Sequence, residues 1–417
     1  MLRALGSLFL ASAIVTTIGS AAAVEQAPAA VQPSRAGDFV DSIGVNTHFN
    51  YPGTPYTDRF STVAAALLRS GIKHIRDGGL RYSRQRVMTY LGQLGIKHSL
   101  GFPAEVTAAE IRAGLRENSP YVDYVEPQNE LDLSKNHPNW AEDWRNEQQL
   151  LFTTVRADPA NASIVVVGPA LGHFRDASIL GPIDQFEDVG AMHHYPCSVN
   201  PGDMQAKVGF ANVMAEVRRV HVAKPVWTTE IGYEDDLPSG RCALADTVIA
   251  KYNTRTLTER WIAGQPRTYF YQFADMPKLT GYDAMGFVRL DGTPKPQYTA
   301  MQSLLLLLAD SDRTFQPTPL ALSLSGATSN VHQLLLEKGD GRFLLLLWLE
   351  VPGWDAAAQA PINVPTQRVV VNLGSPPRGA IDYVYSPNWT YGRTVLQPST
   401  AIEVPVNDAI SVLELRP

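Results

Sequence analysis

A chemical reading of this chain starts from Glu130 and Glu230. Each ends a β-branched run, in EPQNELDL (126–133) and WTTEIGY (227–233). A pair of carboxyl groups is what cleavage of a glycosidic bond requires. One, protonated, gives its proton to the leaving oxygen; the other, ionised, attacks the anomeric carbon or activates a water. The two states need opposite environments. Arg76 beside Glu230 would keep that carboxylate charged, and burial among aromatic residues would keep Glu130 protonated. Acids at loop ends are also ordinary solvated residues in many proteins. Asn129 directly before Glu130, and His193 and Tyr195 ending another run, lift the chemical reading above that one.

Other chemistries find less support. His193 and His194 are adjacent, so on a strand they face opposite ways and cannot readily share one ion. There is no H-E-x-x-H for zinc and no G-x-S-x-G for a serine nucleophile. We therefore expect no metal and no cofactor. Glu126 shares strand parity with Glu130 but sits deeper, and reads as a structural acid paired with a base. Asp77 and Glu105 read as acids that hold loops. Among the aromatic residues near loop ends (Tyr51, Tyr56, Trp140, Trp144, Tyr282), Trp140 in KNHPNW is the better sugar platform and Trp144 reads as helix packing.

The elements that must position these residues alternate in type. Eight short runs read as strands: 41–49, 72–78, 96–103, 122–130, 163–170, 188–196, 224–232 and 267–275. Helical patterns lie between or after them at 58–71, 81–95, 107–118, 141–158, 203–220, 243–264 and 295–312. Alternation of this kind implies parallel strands with crossovers. Eight units within 41–312 predict a (β/α)8 TIM barrel, whose function sits at the C-terminal tips of the strands. An open doubly wound sheet is the rival, but no G-x-G-x-x-G follows the first run. From 313 to 417 short apolar runs split by turn residues predict an all-β sandwich, with Asp340-Gly341 as a hairpin turn.

The runs GVNTHF (44–49), GIKHIRDG (71–78), EPQNELDL (126–133), MHHYP (192–196) and WTTEIGY (227–233) resemble the signatures of clan A glycoside hydrolases. The likeness spans the barrel and is nearest to family 39 and the family 5 cellulase-like enzymes. It implies a retaining mechanism with Glu130 as acid/base and Glu230 as nucleophile. It further implies that Asn129 binds the sugar 2-hydroxyl, Arg76 orients Glu230, and Tyr195 contacts Glu230. His193 would line the same pocket, and His48 the sugar subsite before the scissile bond. The chain departs from the clan at the eighth run, YFYQFAD, which lacks the tryptophan often found there. The other readings are a carbohydrate-binding protein without turnover and a transglycosylase acting on an exopolysaccharide.

Composition narrows the partners. The 417 residues are 45% hydrophobic and 18% charged, enough for a large core and unlike a disordered chain. A formal charge of −6 with no basic run argues against nucleic acid and leaves a poly- or oligosaccharide as the expected partner. Residues 1–23 read as a signal peptide, with Arg3, an apolar stretch and small residues up to Ala23. The Ala/Pro-rich residues 24–40 read as a linker. A secreted or periplasmic protein follows, with no stable membrane insertion after signal removal. In that oxidising setting Cys197 and Cys242, the only cysteines, are expected to form one disulfide.

Overall fold

The computed structural model describes residues 27–78, 85–204, 206, 208–237 and 242–417. The expected signal peptide lies outside the described residues, as do residues 81–84 of the expected second helix (81–95), which is seen over Gln85–Gln93.

Eight parallel strands form one sheet: Ile43–Asn46, His74–Arg76, Lys97–Gly101, Val122–Glu126, Val165–Val166, Gly190–His194, Val226–Ile231 and Thr268–Phe270. The eighth strand pairs with the first, and a parallel bridge between Val167 and Val189 joins the fifth to the sixth, so the sheet closes into a barrel. Tyr124, Trp227 and Tyr269 fill the interior, Tyr124 meeting Trp227 edge-on and Tyr269 at a tilt. Gly44 makes room for them: a Cβ there would lie 2.2 Å from the Tyr269 ring.

Helices cover the barrel wherever the sequence has helical periodicity. Ala108–Asn118 begins with a capping box between Thr107 and Glu110. Phe60–Ser70 ends at Gly71, whose φ of 88° suits a residue without Cβ. After the fifth strand only the short helix Ala177–Leu180 and single turns occur.

The C-terminal region is two packed sheets, antiparallel except where Ser34–Arg35 adds in parallel at an edge. One is ordered Ala29–Val31, Leu320–Gly326, Gln367–Leu373, Ala401–Val406. The other is ordered Tyr391–Leu396, Gly379–Tyr385, Ser411–Arg416, Phe343–Leu349, Val331–Glu337, Ser34–Arg35. The first and last of these overturn the expected linker. Ala29–Val31 pairs with Leu320–Leu322 and Ser34–Arg35 with Leu336–Glu337, so the segment before the barrel is stitched into the sandwich. An Ala/Pro composition hides a strand when the strand is short and at a sheet edge. Arg342 and Lys338 close the hairpin at Asp340-Gly341, with Gly341 at φ 83°.

Phe343–Leu349 is buried along its whole length because it has two packing partners. Leu345 and Leu347 face the other sheet, with its Val369 and Val371. Leu344, Leu346 and Trp348 pack against barrel-side residues that include Leu257, Leu304 and Leu308. The same sandwiching explains the long polar helix Asp246–Ile262, buried between the two bodies. Its polar groups are paired across the boundary: Lys251 with Asp408, Glu259 with His332, and Arg255 with Glu350. Glu350 also accepts hydrogen bonds from Asn200 Nδ2 and the Gly202 amide, both at 2.8 Å, so the sandwich grips the loop after the sixth strand. The expected disulfide ties that loop to the one after the seventh, joining Cys197 and Cys242 with Cα atoms 4.4 Å apart.

Truncating Glu350 would leave the Arg255 guanidinium, which is 0% exposed, without its counter-charge. Glu350→Ala is expected to cost about 3–5 kcal/mol, read as a lowered denaturant midpoint with an unchanged slope. A loss below about 1 kcal/mol would mean the boundary does not depend on this pair.

Candidate active site

The site is built on the C-terminal rim of the barrel, around a cavity of about 710 Å³. Arg76, the last residue of the second strand, is its hub. Its Nε donates to both oxygens of Glu126, at 2.8 and 2.9 Å. Its Nη1 donates to Asn46 Oδ1 at 3.0 Å and to Glu230 Oε1 at 2.5 Å. Its Nη2 donates to Asn129 Oδ1 at 2.7 Å. Burial opposes the charge on Arg76, but Glu126 and Glu230 outweigh it and hold the guanidinium firmly protonated. Glu126 is thus the structural acid that its depth suggested.

Glu230 lies on the seventh strand and is 7% exposed. The Tyr195 hydroxyl donates to its Oε2 at 2.5 Å. Burial by itself would raise the Glu230 pKa; His193, Arg76 and the Tyr195 hydrogen bond reverse this and hold it below the usual carboxylate range. Tyr195 is pushed well above the usual phenol range, first by burial and then by Glu230, so it remains a donor.

Glu130 does not sit on the fourth strand, which ends at Glu126; it follows in the loop, with a left-handed φ of 43°. A single turn, Leu131–Leu133, begins directly after it. Asp132 in that turn accepts the Gly172 and His173 amides at 3.1 and 2.7 Å, tying the fourth loop to the fifth. His193 Nδ1 shares a hydrogen bond of 2.6 Å with Glu130 Oε1 and lies 3.6 Å from Glu230 Oε2. One oxygen of each glutamate and this imidazole lie within 4.8 Å of one another. His194 faces away, with Nε2 donating to the Val208 carbonyl at 2.7 Å, as strand alternation requires.

His48 lines the cavity, packed edge-on against Tyr56 and Tyr271. Burial lowers its pKa to about 4, so it is a neutral imidazole, and its Nε2 is buried with no partner among the described residues. Asp77 holds the first loop, accepting from Thr47 Oγ1 and the Phe49 and Gly78 amides, and burial raises its pKa to about 7. Glu105 is exposed and lies 3.4 Å from His137 Nε2.

Trp140 is the clear correction. It opens the helix Trp140–Arg156, turns its ring edge-on to Trp144, and is absent from the cavity lining. Its apolar neighbours, including Leu131, Leu171 and Leu180, draw it into a small core. Tyr51, Tyr271 and Tyr282 line the cavity instead. The residue list drawn from the sequence also missed Asn46, which receives Arg76, and Asn50, whose Oδ1 is buried in the cavity wall without a partner among the described residues. Asn46 was legible as a polar tip on an apolar strand; Asn50 lies beyond the strand, where no period applies.

Two groupings among the described residues have the geometry to hold a cation: Glu130 with His193 and Glu230, and Asp132 with His173 and Asp176. In the first, the Arg76 guanidinium already occupies one face of Glu230 and repels a cation. In the second, Asp132 is committed to backbone amides and His173 is largely exposed.

No family model and no curated protein matches this chain. Solved structures do. A glucosidase from Croceicoccus marinus is similar at TM-score 0.62 and 12% identity, over 94% of this chain and 98% of that one. A family 39 glycoside hydrolase from the gut symbiont Bacteroides cellulosilyticus is similar at TM-score 0.55 and 16% identity, over 93% and 83%. A GH51 arabinofuranosidase from Xanthomonas axonopodis pv. citri is similar at 0.55 and 14%, over 94% and 98%. At these identities the likeness is one of fold. It carries the barrel with its β-sandwich, and it fits the clan A resemblance of the strand-tip motifs.

Replacing Arg76 by methionine would strand two buried carboxylates. Arg76→Met is expected to lose about 3–5 kcal/mol near neutral pH. The depressed pKa of Glu230 gives the parent stability above the unfolded carboxylate pKa, and this is lost as pH falls. The variant protonates its unpaired carboxyls first, so the gap should narrow between about pH 7 and about pH 4.5 in denaturant titrations. A gap independent of pH would contradict this electrostatic account.

Proposed function

We propose that this protein is a glycoside hydrolase that cleaves O-glycosidic bonds in a poly- or oligosaccharide with net retention of configuration. The observation that carries the reading is the pair Glu130 and Glu230, with oxygens within 4.8 Å at one cavity and with different surroundings. Glu230, held ionised by Arg76, His193 and Tyr195, attacks the anomeric carbon and forms a covalent glycosyl–enzyme. Glu130, more open to the cavity at 23% side-chain exposure, gives its proton to the departing oxygen. It then takes a proton from the incoming water, which releases the sugar from Glu230. His193 touches both carboxyls and can relay the change in charge between the two steps. Asn129, fixed by Arg76, presents its amide nitrogen to the sugar 2-hydroxyl. His48 Nε2, Asn50 Oδ1 and His193 Nε2, which have no partner among the described residues, are further groups for hydroxyls to meet.

The aromatic platform is tyrosine. Tyr271 and Tyr282 stand with Tyr195 in edge-on contacts beside Glu230, and Tyr51 closes the group against His48. Rings of this kind stack on the apolar faces of sugars. Export fits the disulfide, the N-terminal signal-like residues and the fact that no described helix is long and apolar enough to cross a membrane.

A panel of nitrophenyl glycosides and polysaccharides, scored for released phenol and new reducing ends, tests the activity. On the substrate found, Glu230→Ala is expected to abolish turnover. Glu130→Ala should slow poor leaving groups by roughly 10²–10⁴ and be partly rescued by azide, which needs no base. Proton NMR should show the retained anomer as the first-formed product. Hydrolysis with the inverted anomer would refute the retaining mechanism, and an inactive panel would favour a binding protein.

A further inference from the structure

The mechanism leaves one buried acid unused. Glu147, on the helix Trp140–Arg156, is 3% exposed and reaches the backbone just before the Asn129–Glu130 pair. Its Oε1 accepts the Gln128 amide at 2.7 Å. One turn earlier, Trp144 Nε1 donates to the Gln128 carbonyl at 3.1 Å. The two side chains share one helix face, three residues apart. Both polar groups of the Gln128 backbone are therefore held by one rigid helix. Beyond Glu130, the Leu131–Leu133 turn and the Asp132 tether hold the other side. The approach is close there: a Cβ on Gly172 would lie 3.2 Å from Glu130 Cδ. Glu130 itself has a left-handed backbone and no place in the barrel ladder, so its aim depends on these two anchors.

We infer that Glu147 is a positioning residue for the acid/base Glu130, acting with Trp144 through the Gln128 backbone. This rests on the glycosidase reading and deepens it. An aspartate at 147 would be too short to reach the amide. A charged group would be poorly placed, since Glu147 Oε2 is buried with no partner among the described residues. Burial, reinforced by Glu105 and only partly offset by the Gln128 amide, raises its pKa to about 8, so near neutral pH it accepts the amide as an uncharged acid. Glutamine, of the same length and uncharged, can take over that role.

The test uses the full chain and phenyl and 2,4-dinitrophenyl glycosides of the sugar chosen by the panel. Phenyl departure needs the proton from Glu130; dinitrophenyl departure does not. Glu147→Leu is expected to lower kcat for the phenyl glycoside about 10–100-fold with KM little changed, because a misplaced acid costs its share of general acid catalysis. For the dinitrophenyl glycoside, kcat/KM, which reports only departure of the phenolate and not the later base-assisted hydrolysis, should change less than about 3-fold. Glu147→Gln should restore the parent ratio between the two substrates. Trp144→Phe, which keeps an aromatic side chain but removes the donor to Gln128 and part of the indole's bulk, should shift the ratio in the same direction by a smaller factor. It serves where the leucine variant fails to fold. A parent enzyme active on both substrates, with variants that slow both equally or neither, would overturn this inference and leave the glycosidase reading intact. A parent inactive on every glycoside would overturn both.

Discussion

One buried guanidinium organises this site. Arg76 is 8% exposed and joins Glu126 of the fourth strand, Asn46 of the first, Glu230 of the seventh and Asn129 of the fourth loop. A charge in that position is tolerated only when fully paired. Its requirement fixes the relative placement of strand tips that come from distant parts of the chain. Glu126 pairs with the Arg76 Nε from beneath, which leaves Nη1 free to reach Glu230 above. Tyr195 and His193 complete the shell around that carboxylate. The account of reactivity depends on this pairing, because a nucleophile must stay ionised in a place where burial alone would neutralise it.

The rest of the molecule keeps those tips still. The barrel interior below is filled by large rings rather than left open. The loop that follows Tyr195 is secured twice, by the Cys197–Cys242 disulfide and by Glu350 reaching across from the sandwich. That second anchor explains why the helix Asp246–Ile262 carries buried arginines and threonines instead of an apolar stripe. It lies between two bodies and links them through paired charges. The stitching of residues 29–35 into both sheets ties the start of the folded chain to its end.

Much of this was legible beforehand because it follows from period and type. Alternating runs marked the eight barrel strands, and polar residues on otherwise apolar tips marked Arg76, Glu230, His193 and Tyr195. Opposite faces on one strand separated His193 from His194. What was not legible came from loops and edges. Glu130 sits past its strand, held by backbone contacts that no pattern records. Trp140 looked like a platform because its loop is polar, yet its ring is drawn onto Trp144 at the start of a helix. The strands at 29–31 and 34–35 are too short to show a period, and their pairing partners lie about three hundred residues away. Glu147 carries no signal in the sequence, because its partner is the Gln128 backbone, reached only once the helix is placed.

The central claim is that Glu230, held ionised by Arg76, is the group that attacks the sugar. A 2-deoxy-2-fluoro glycoside with a dinitrophenolate leaving group slows release of the covalent intermediate, so the attacked residue can be found by peptide mass mapping. The account predicts a single glycosyl adduct on the peptide containing Glu230, formed with stoichiometric release of dinitrophenolate and reduced in Arg76→Met. An adduct on Glu130 or Glu126, or turnover of the natural substrate with no adduct on Glu230, would contradict it.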